Sequence, residues 1–300
     1  MAKHQGDSKD NIAGAGLALL CYYGWGIKHG KYTDDPKHDR HSKAATKALD
    51  WLLEQQDADG SLLGSKTSHG MYCHGIASVA LCEGYGLTKD PKLKDAATKA
   101  IDYILKSQHT AGGWRYSPGE PGDLSVTGWQ YLAMHSARLA GIEIPDEAFA
   151  KTGKFLDSVA GGTHGGYYGY MVPEKNKPTM TATGMFLRQL DHAAPTEPRM
   201  QESAQVIKSK MLRADSVDFY FDYYATLALY QHQGPIWEEW NTNLKEVYLA
   251  VQKTTGPNKG SWDSQGTFVK SGGRVVSTGL AILNLEVYYR LLPMYGYDRK

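Results

Sequence analysis

One segment of this chain occurs twice without a gap, and nothing else in the sequence limits the fold as much. Lys47-Ala48-Leu49-Asp50-Trp51-Leu52-Leu53-Glu54-Gln55-Gln56 leads to Asp59-Gly60-Ser61-Leu62. Lys99-Ala100-Ile101-Asp102-Tyr103-Ile104-Leu105-Lys106-Ser107-Gln108 leads to Gly112-Gly113-Trp114. Ala45, Ala48, Leu49, Leu52 and Leu53 fall on one face of a helix, and Ala97, Ala100, Ile101, Ile104 and Leu105 repeat that face. Weaker copies cover 149–159, 200–212 and 244–252, the last followed by Gly260-Ser261-Trp262. Between the copies lie stretches rich in Ala, Gly, Leu and Thr and poor in charge, at 12–25, 72–85, 124–140, 180–190, 223–230 and 276–291. A helix apolar nearly all round is buried on both sides. The chain thus alternates buried with amphipathic helices, and closing stacked pairs into a ring leaves no apolar end exposed. The expected fold is all-α, an α/α toroid of about six inner and five outer helices. It is expected to form one domain over 1–300, with a polar tail at 1–10.

Charge and cysteine narrow the function. The formal net charge is +1 with no basic stripe, which excludes a nucleic-acid partner. The apolar run 12–27 is shorter than the roughly 20 residues a spanning helix needs and reads as a buried helix, so no membrane segment is expected. Cys73 and Cys82 stand nine apart, on opposite sides of a shared helix. With Cys21 the count is odd, so a reducing, cytoplasmic setting is expected rather than a disulfide framework.

The pattern Lys-Ala-x-x-aromatic-aliphatic-x-x-x-Gln-x-x-x-Gly-x-Trp at 99–114 resembles the QW repeat of squalene cyclases and the related protein prenyltransferase repeat. Residues 47–62 match with Leu62 in place of the Trp, and 244–262 match with an insertion. Residues 226–240 and 272–293 look like uncharacterised bacterial members of the same superfamily. The resemblance implies a terpenoid-cyclase-like toroid with a central cavity at the inner-helix N-termini. It also implies that Gln56, Gln108, Trp114 and Trp262 serve structure. The catalytic clusters of such families are missing. There is no Asp-x-Asp-Asp; Asp34-Asp35 precede Pro36 in a loop, and the nearest analogue in position is Asp123, also a natural N-cap for the helix at 124. Cys73 sits where the prenyltransferase zinc motif has its Cys, but Met71 replaces the Asp, and Ser277-Thr278-Gly279 offers no His. Cys73-His74-Gly75 resembles the zinc motif of lanthionine cyclases. Cys21 and Cys82 lie about 10 Å away along the helix axis, too far to share a metal. His69, Cys73 and His74 are left as the local zinc candidates, and the cofactor is otherwise unknown.

Gly-rich turns at 60–70, 112–122, 161–180, 214–221 and 256–273 deliver polar and aromatic side chains to one rim, where helix dipoles converge. The densest segment is Asp218-Phe219-Tyr220-Phe221-Asp222-Tyr223-Tyr224. Carboxylates four apart can face one site and split their acidities, although a cap plus core aromatics explains the same pattern. The expected catalytic set is Asp222 and Asp218, assisted by Asp123 and His74. The expected ligand-binding set is Cys73, Trp114, Tyr116, Tyr168, Tyr170, Tyr220, Trp262 and Arg274. The leading expectation is a cavity for an apolar, isoprenoid-like small molecule. A non-enzymatic scaffold and a polysaccharide-active toroid are the alternatives.

Overall fold

The structure, a computed structural model, describes residues 11–30, 36–64, 69–265 and 272–290. The expected tail at 1–10, Asp34-Asp35 and the final residue of the expected closing helix lie outside these ranges. Among the described residues the regular elements are helices, apart from one hairpin of two-residue strands and an isolated bridge between Trp114 and Asp123. The described residues up to Phe155 and those from Leu156 on form two compact units.

In the first unit the apolar helices α1 (Asn11–Gly24), α3 (Gly70–Thr88) and α5 (Leu124–Ala140) pack side by side. The amphipathic helices α2 (Pro36–Glu54) and α4 (Pro91–Ser107) lie against them, and α6 (Asp146–Ser158) begins in this unit. The periodicity explains the layering, since Leu52 and Ile104 on the two repeated stripes are fully buried. Each such side chain contributes about 2 kcal/mol through removal from water. Local chemistry sets the ends. Asp90 accepts the Lys92 N–H at 2.9 Å ahead of Pro91, and Gly141 closes α5 at φ 90°.

The duplicated segment folds into one turn used three times. Gln56 Nε2 donates to the Gly60 carbonyl at 3.1 Å, Gln108 to Gly112 at 3.0 Å and Gln252 to Gly260 at 3.1 Å. Gln56 and Gln108 also reach the next amphipathic helix, at the carbonyls of Ala96 (2.9 Å) and Ala148 (3.1 Å). The Trp114 indole donates to Ile104 O at 2.8 Å, and that of Trp262 to Tyr248 O at 2.9 Å. The third copy spans ten residues from Gln252 to Trp262 against six from Gln108 to Trp114, a four-residue insertion that leaves these bonds intact. Gly60 (φ 90°) and Gly112 (φ 96°) sit where L side chains rarely go, and a Cβ on either would strike the backbone of the neighbouring helix.

In the second unit α7 (Pro178–Leu190), α9 (Phe219–His232) and α11 (Gly273–Leu285) are the apolar helices. They alternate with α8 (Pro198–Lys208) and α10 (Gly234–Val251), and α12 (Val287–Arg290) is a final turn. Helix α10 starts ten residues before the repeat signal at Leu244, because Gly234-Pro235 opens it. The six apolar and five amphipathic helices match the expected alternation among the described residues. The hairpin β1 (Ala160–Gly161) and β2 (Tyr167–Tyr168) was not expected. Glu202 of α8 explains it: its carboxylate accepts the N–H groups of Thr163 (2.8 Å), His164 (2.9 Å) and Gly166 (2.8 Å). Burial alone would raise its pKa, but the three backbone bonds together hold it below the usual range. Glu202→Gln replaces an acceptor with a donor facing these N–H groups. The expected result is a loss of about 2 kcal/mol in denaturant unfolding and faster amide exchange confined to 160–170.

Candidate functional site

The expected site residues fall into two groups, one in each unit. In the first unit Asp123 is fully buried and caps α5, its Oδ1 accepting the Val126 N–H at 2.9 Å and the Ser125 hydroxyl at 2.7 Å. Ser125 Oγ in turn accepts the Tyr72 hydroxyl. Arg115 lies 3.8 Å from the other Asp123 oxygen, with its guanidinium 5.2 Å from the Tyr116 ring centre. The His69 ring stands edge-on to Tyr116 at 4.5 Å. Asp123 is therefore an N-cap at the end of a Tyr72–Ser125 hydrogen-bond chain, and Tyr72 and Ser125 are participants the repeat pattern did not single out.

His74 was expected to assist at this rim, but it lies in the interior. Its Nδ1 accepts the Leu62 N–H at 3.1 Å, and its Nε2 donates to the Ala100 carbonyl at 3.0 Å. The same backbone position is held elsewhere by threonine. The Trp114 N–H goes to Thr127 Oγ1 at 3.0 Å, that of Tyr168 to Thr181 at 3.2 Å and that of Trp262 to Thr278 at 3.2 Å. His74 is thus the histidine version of a repeated structural bond. Burial pushes its pKa down to about 4, so it stays neutral. With both ring nitrogens engaged it is lost to any His69/Cys73/His74 zinc set, and Cys73 is itself buried. Among the described residues no group of three or more His, Cys, Asp and Glu side chains is placed to hold a metal ion.

Several expected ligand contacts also face inward. Trp114, Tyr168, Tyr220 and Trp262 are buried, and the Tyr168 hydroxyl accepts from Arg188 Nε at 3.3 Å. Arg274 is held by Ser261 Oγ at 3.0 Å and by Asp263. Tyr116 and Tyr170 keep half-exposed positions.

In the second unit the acid–aromatic segment forms the start of α9. Asp218 caps the helix by accepting the Phe221 N–H at 3.2 Å, and Lys210 Nζ stands 4.0 Å from its other oxygen. One turn on, Asp222 is buried among the core aromatics. Its Oδ2 accepts the Tyr248 hydroxyl at 3.1 Å, and the Tyr248 oxygen accepts Asn284 Nδ2 at 3.0 Å. Burial is the main cause that lifts the Asp222 pKa well above the carboxylate range, Asp218 adds to it, and the Tyr248 bond opposes it only in part. A cavity of about 670 Å³ opens beside this pair, lined by Lys210, Arg213, Asp215, Asp218, Asp222 and Gln265, among others. The arrangement sets a buried carboxyl of raised pKa and a helix-capping carboxylate at one pocket, a spacing that can serve an acid–base pair. Tyr248 and Asn284 were missed as site residues, since Tyr248 occupies the buried aliphatic position of the repeat held by Leu52 and Ile104, its carbonyl accepting the Trp262 indole as that of Ile104 accepts the Trp114 indole.

No protein-family model matches the chain, and no curated protein matches it in sequence. Similar solved structures exist. An alpha-1,6-mannanase from Salegentibacter sp. HEL1_6 superposes with a TM-score of 0.61 at 12% identity, over 93% of this chain and 89% of that one. An inactive variant of it in complex with alpha-1,6-mannotriose gives 0.59 at 13% identity over the same shares. A variant of the type II terpene cyclase MstE from Scytonema, in complex with geranylgeranyl dihydroxybenzoate, gives 0.56 at 10% identity, over 97% of this chain and 90% of that one. At these identities the likeness shows the fold, which is all-α and of the α/α-toroid class.

Proposed function

We propose that the pocket at the start of α9 binds a hydroxyl-rich, carbohydrate-class ligand and that Asp222 acts on it as a general acid, with Asp218 as the partnering carboxylate. The observation that carries this reading is a buried carboxyl of raised pKa at the edge of a large pocket where Ser209, Lys210, Arg213, Ser216 and Gln265 stand beside Met211, Leu212 and Val217. The amide and charged groups at the pocket offer hydrogen bonds that ligand hydroxyls can take up. The mannanase likeness agrees with the reading at the level of fold.

The isoprenoid-like ligand expected from the repeat remains the second reading. It is favoured by the likeness to a terpene cyclase bound to a geranylgeranyl compound.

The test is incubation with neutral polysaccharides, read by mass spectrometry of released oligosaccharides and of ligands that copurify with fresh protein. Cleavage is expected, with Asp222→Asn lowering the rate by about 10²–10⁴-fold. Copurified prenyl lipid with no glycan cleaved or bound, or turnover unchanged in Asp222→Asn, would contradict the proposal.

A further inference from the structure

A second cavity of about 670 Å³ lies in the same unit, lined by Tyr167, Lys175, Asn176, Thr181, Glu202 and Gln205, among others. Ser209 lines both cavities. The second one touches the start of α7 through Pro178 and Thr181, and the first touches the start of α9 through Asp218 and Asp222. The end of α8 and the residues just after it run between them. From Glu202 to Ser209 that ridge covers about 10 Å at the helical rise. Each cavity alone has the size of a small-molecule site. Bordering each other at Ser209, the two together offer room for a ligand longer than either holds alone.

The formal charges that line the two cavities balance apart from Asp222. Lys210 and Arg213 stand against Asp215 and Asp218, and Lys175 stands against Glu202. The remaining acid, Asp222, is the one whose pKa burial raises. A site for a polyuronate or a phosphorylated ligand would carry surplus positive charge. Tyr167, half-buried on β2, lines the second cavity, and Asn176 and Gln205 bring amide groups to it.

From this geometry we infer that the two cavities are consecutive subsites for one uncharged oligosaccharide, laid across Ser209 with its far end against Tyr167 and Gln205. The inference rests on the carbohydrate reading of the α9 pocket and adds length and charge to it.

The probes are neutral gluco-, manno- and xylo-oligosaccharides of two to six units and oligogalacturonates of the same lengths. Binding to the full chain is followed by calorimetry and by amide shifts. For at least one neutral series, affinity should rise tenfold or more between the short and the long members. Short oligomers should move amides around one cavity only, and long ones around both Tyr167 and Asp218. Gln205→Trp, which fills the second cavity from an exposed helix position, should abolish the gain with length while its unfolding temperature stays near that of the parent. Length-independent affinity with shifts only around Asp218 would overturn the two-subsite inference and leave the carbohydrate reading standing. Tighter binding of oligogalacturonates would overturn the uncharged class. If no oligosaccharide perturbs either cavity, both readings fall.

Discussion

His74→Ala is expected to cost about 3–5 kcal/mol of folding stability, a large share of what a chain of this size holds in reserve. The substitution orphans the buried Leu62 N–H, removes the donor to Ala100 O and leaves an imidazole-sized void. It should also change the response to acid. The unfolded chain binds a proton at this residue near pH 6.5, while the folded chain resists it down to about pH 4. Stability from His74 is therefore complete above pH 6.5 and is lost as pH falls toward 4, by about 3 kcal/mol. Urea unfolding at pH 7.5 and pH 4.5 checks both parts. The variant should be much weaker at pH 7.5, and its gap to the parent should narrow at pH 4.5. A gap that stays constant with pH would mean that the ring is not held neutral as the structure requires.

Gly112→Ala should be more damaging still. A Cβ there would lie 1.9 Å from the Lys151 carbonyl oxygen, and φ is 96°. The obstacle is helix backbone, which cannot swing aside as a side chain would. A loss above about 4 kcal/mol or failure to fold is expected. Gly119 provides the control that separates the two causes. Its φ is 73°, but a Cβ would meet nothing within 4 Å, so Gly119→Ala should cost only the backbone term of about 1–2 kcal/mol. Similar losses at the two positions, measured by thermal unfolding, would refute the close-approach argument.

These residues show where the sequence was informative. The alternation of helices was legible because a period of 3.6 on one class, and its absence on the other, follows directly from one-sided and two-sided burial. The turn was legible because Gln56, Gln108 and Gln252 meet the same glycine carbonyl in each copy. What escaped was whatever depends on which way a side chain points. His74 sits one position from Cys73 at a helix start, as a rim ligand would, yet its ring enters the core. Only aligning its bond to Leu62 with the bonds of Thr127, Thr181 and Thr278 reveals that role. For Trp114 and Trp262 the repeat points to structure and the rim to ligand contact, and their indole bonds favour the structural role. Asp222 stood out by its spacing from Asp218, but the partners behind it, Tyr248 and Asn284, come from helices 26 and 62 residues further on, beyond any local pattern. The Glu202 cradle joins segments 36–39 residues apart and had no periodic signal at all.

Everything proposed for the α9 pocket turns on whether Asp222 carries a proton when an ordinary carboxyl does not. Carbon-13 NMR of labelled Asp carboxyls, with Asp222→Asn to assign the signal, reads this directly between pH 3 and pH 8. The account predicts an Asp222 midpoint well above 3.8, the ordinary value. The folded chain would then keep a proton that the unfolded chain has released. Asp222 should therefore lower stability as pH rises from about 4 toward its folded midpoint, by up to about 1.4 kcal/mol per pH unit, and Asp222→Asn should remove that slope. A midpoint at or below 3.8, with the same pH dependence of stability in parent and variant, would contradict the assignment of Asp222 as the acid.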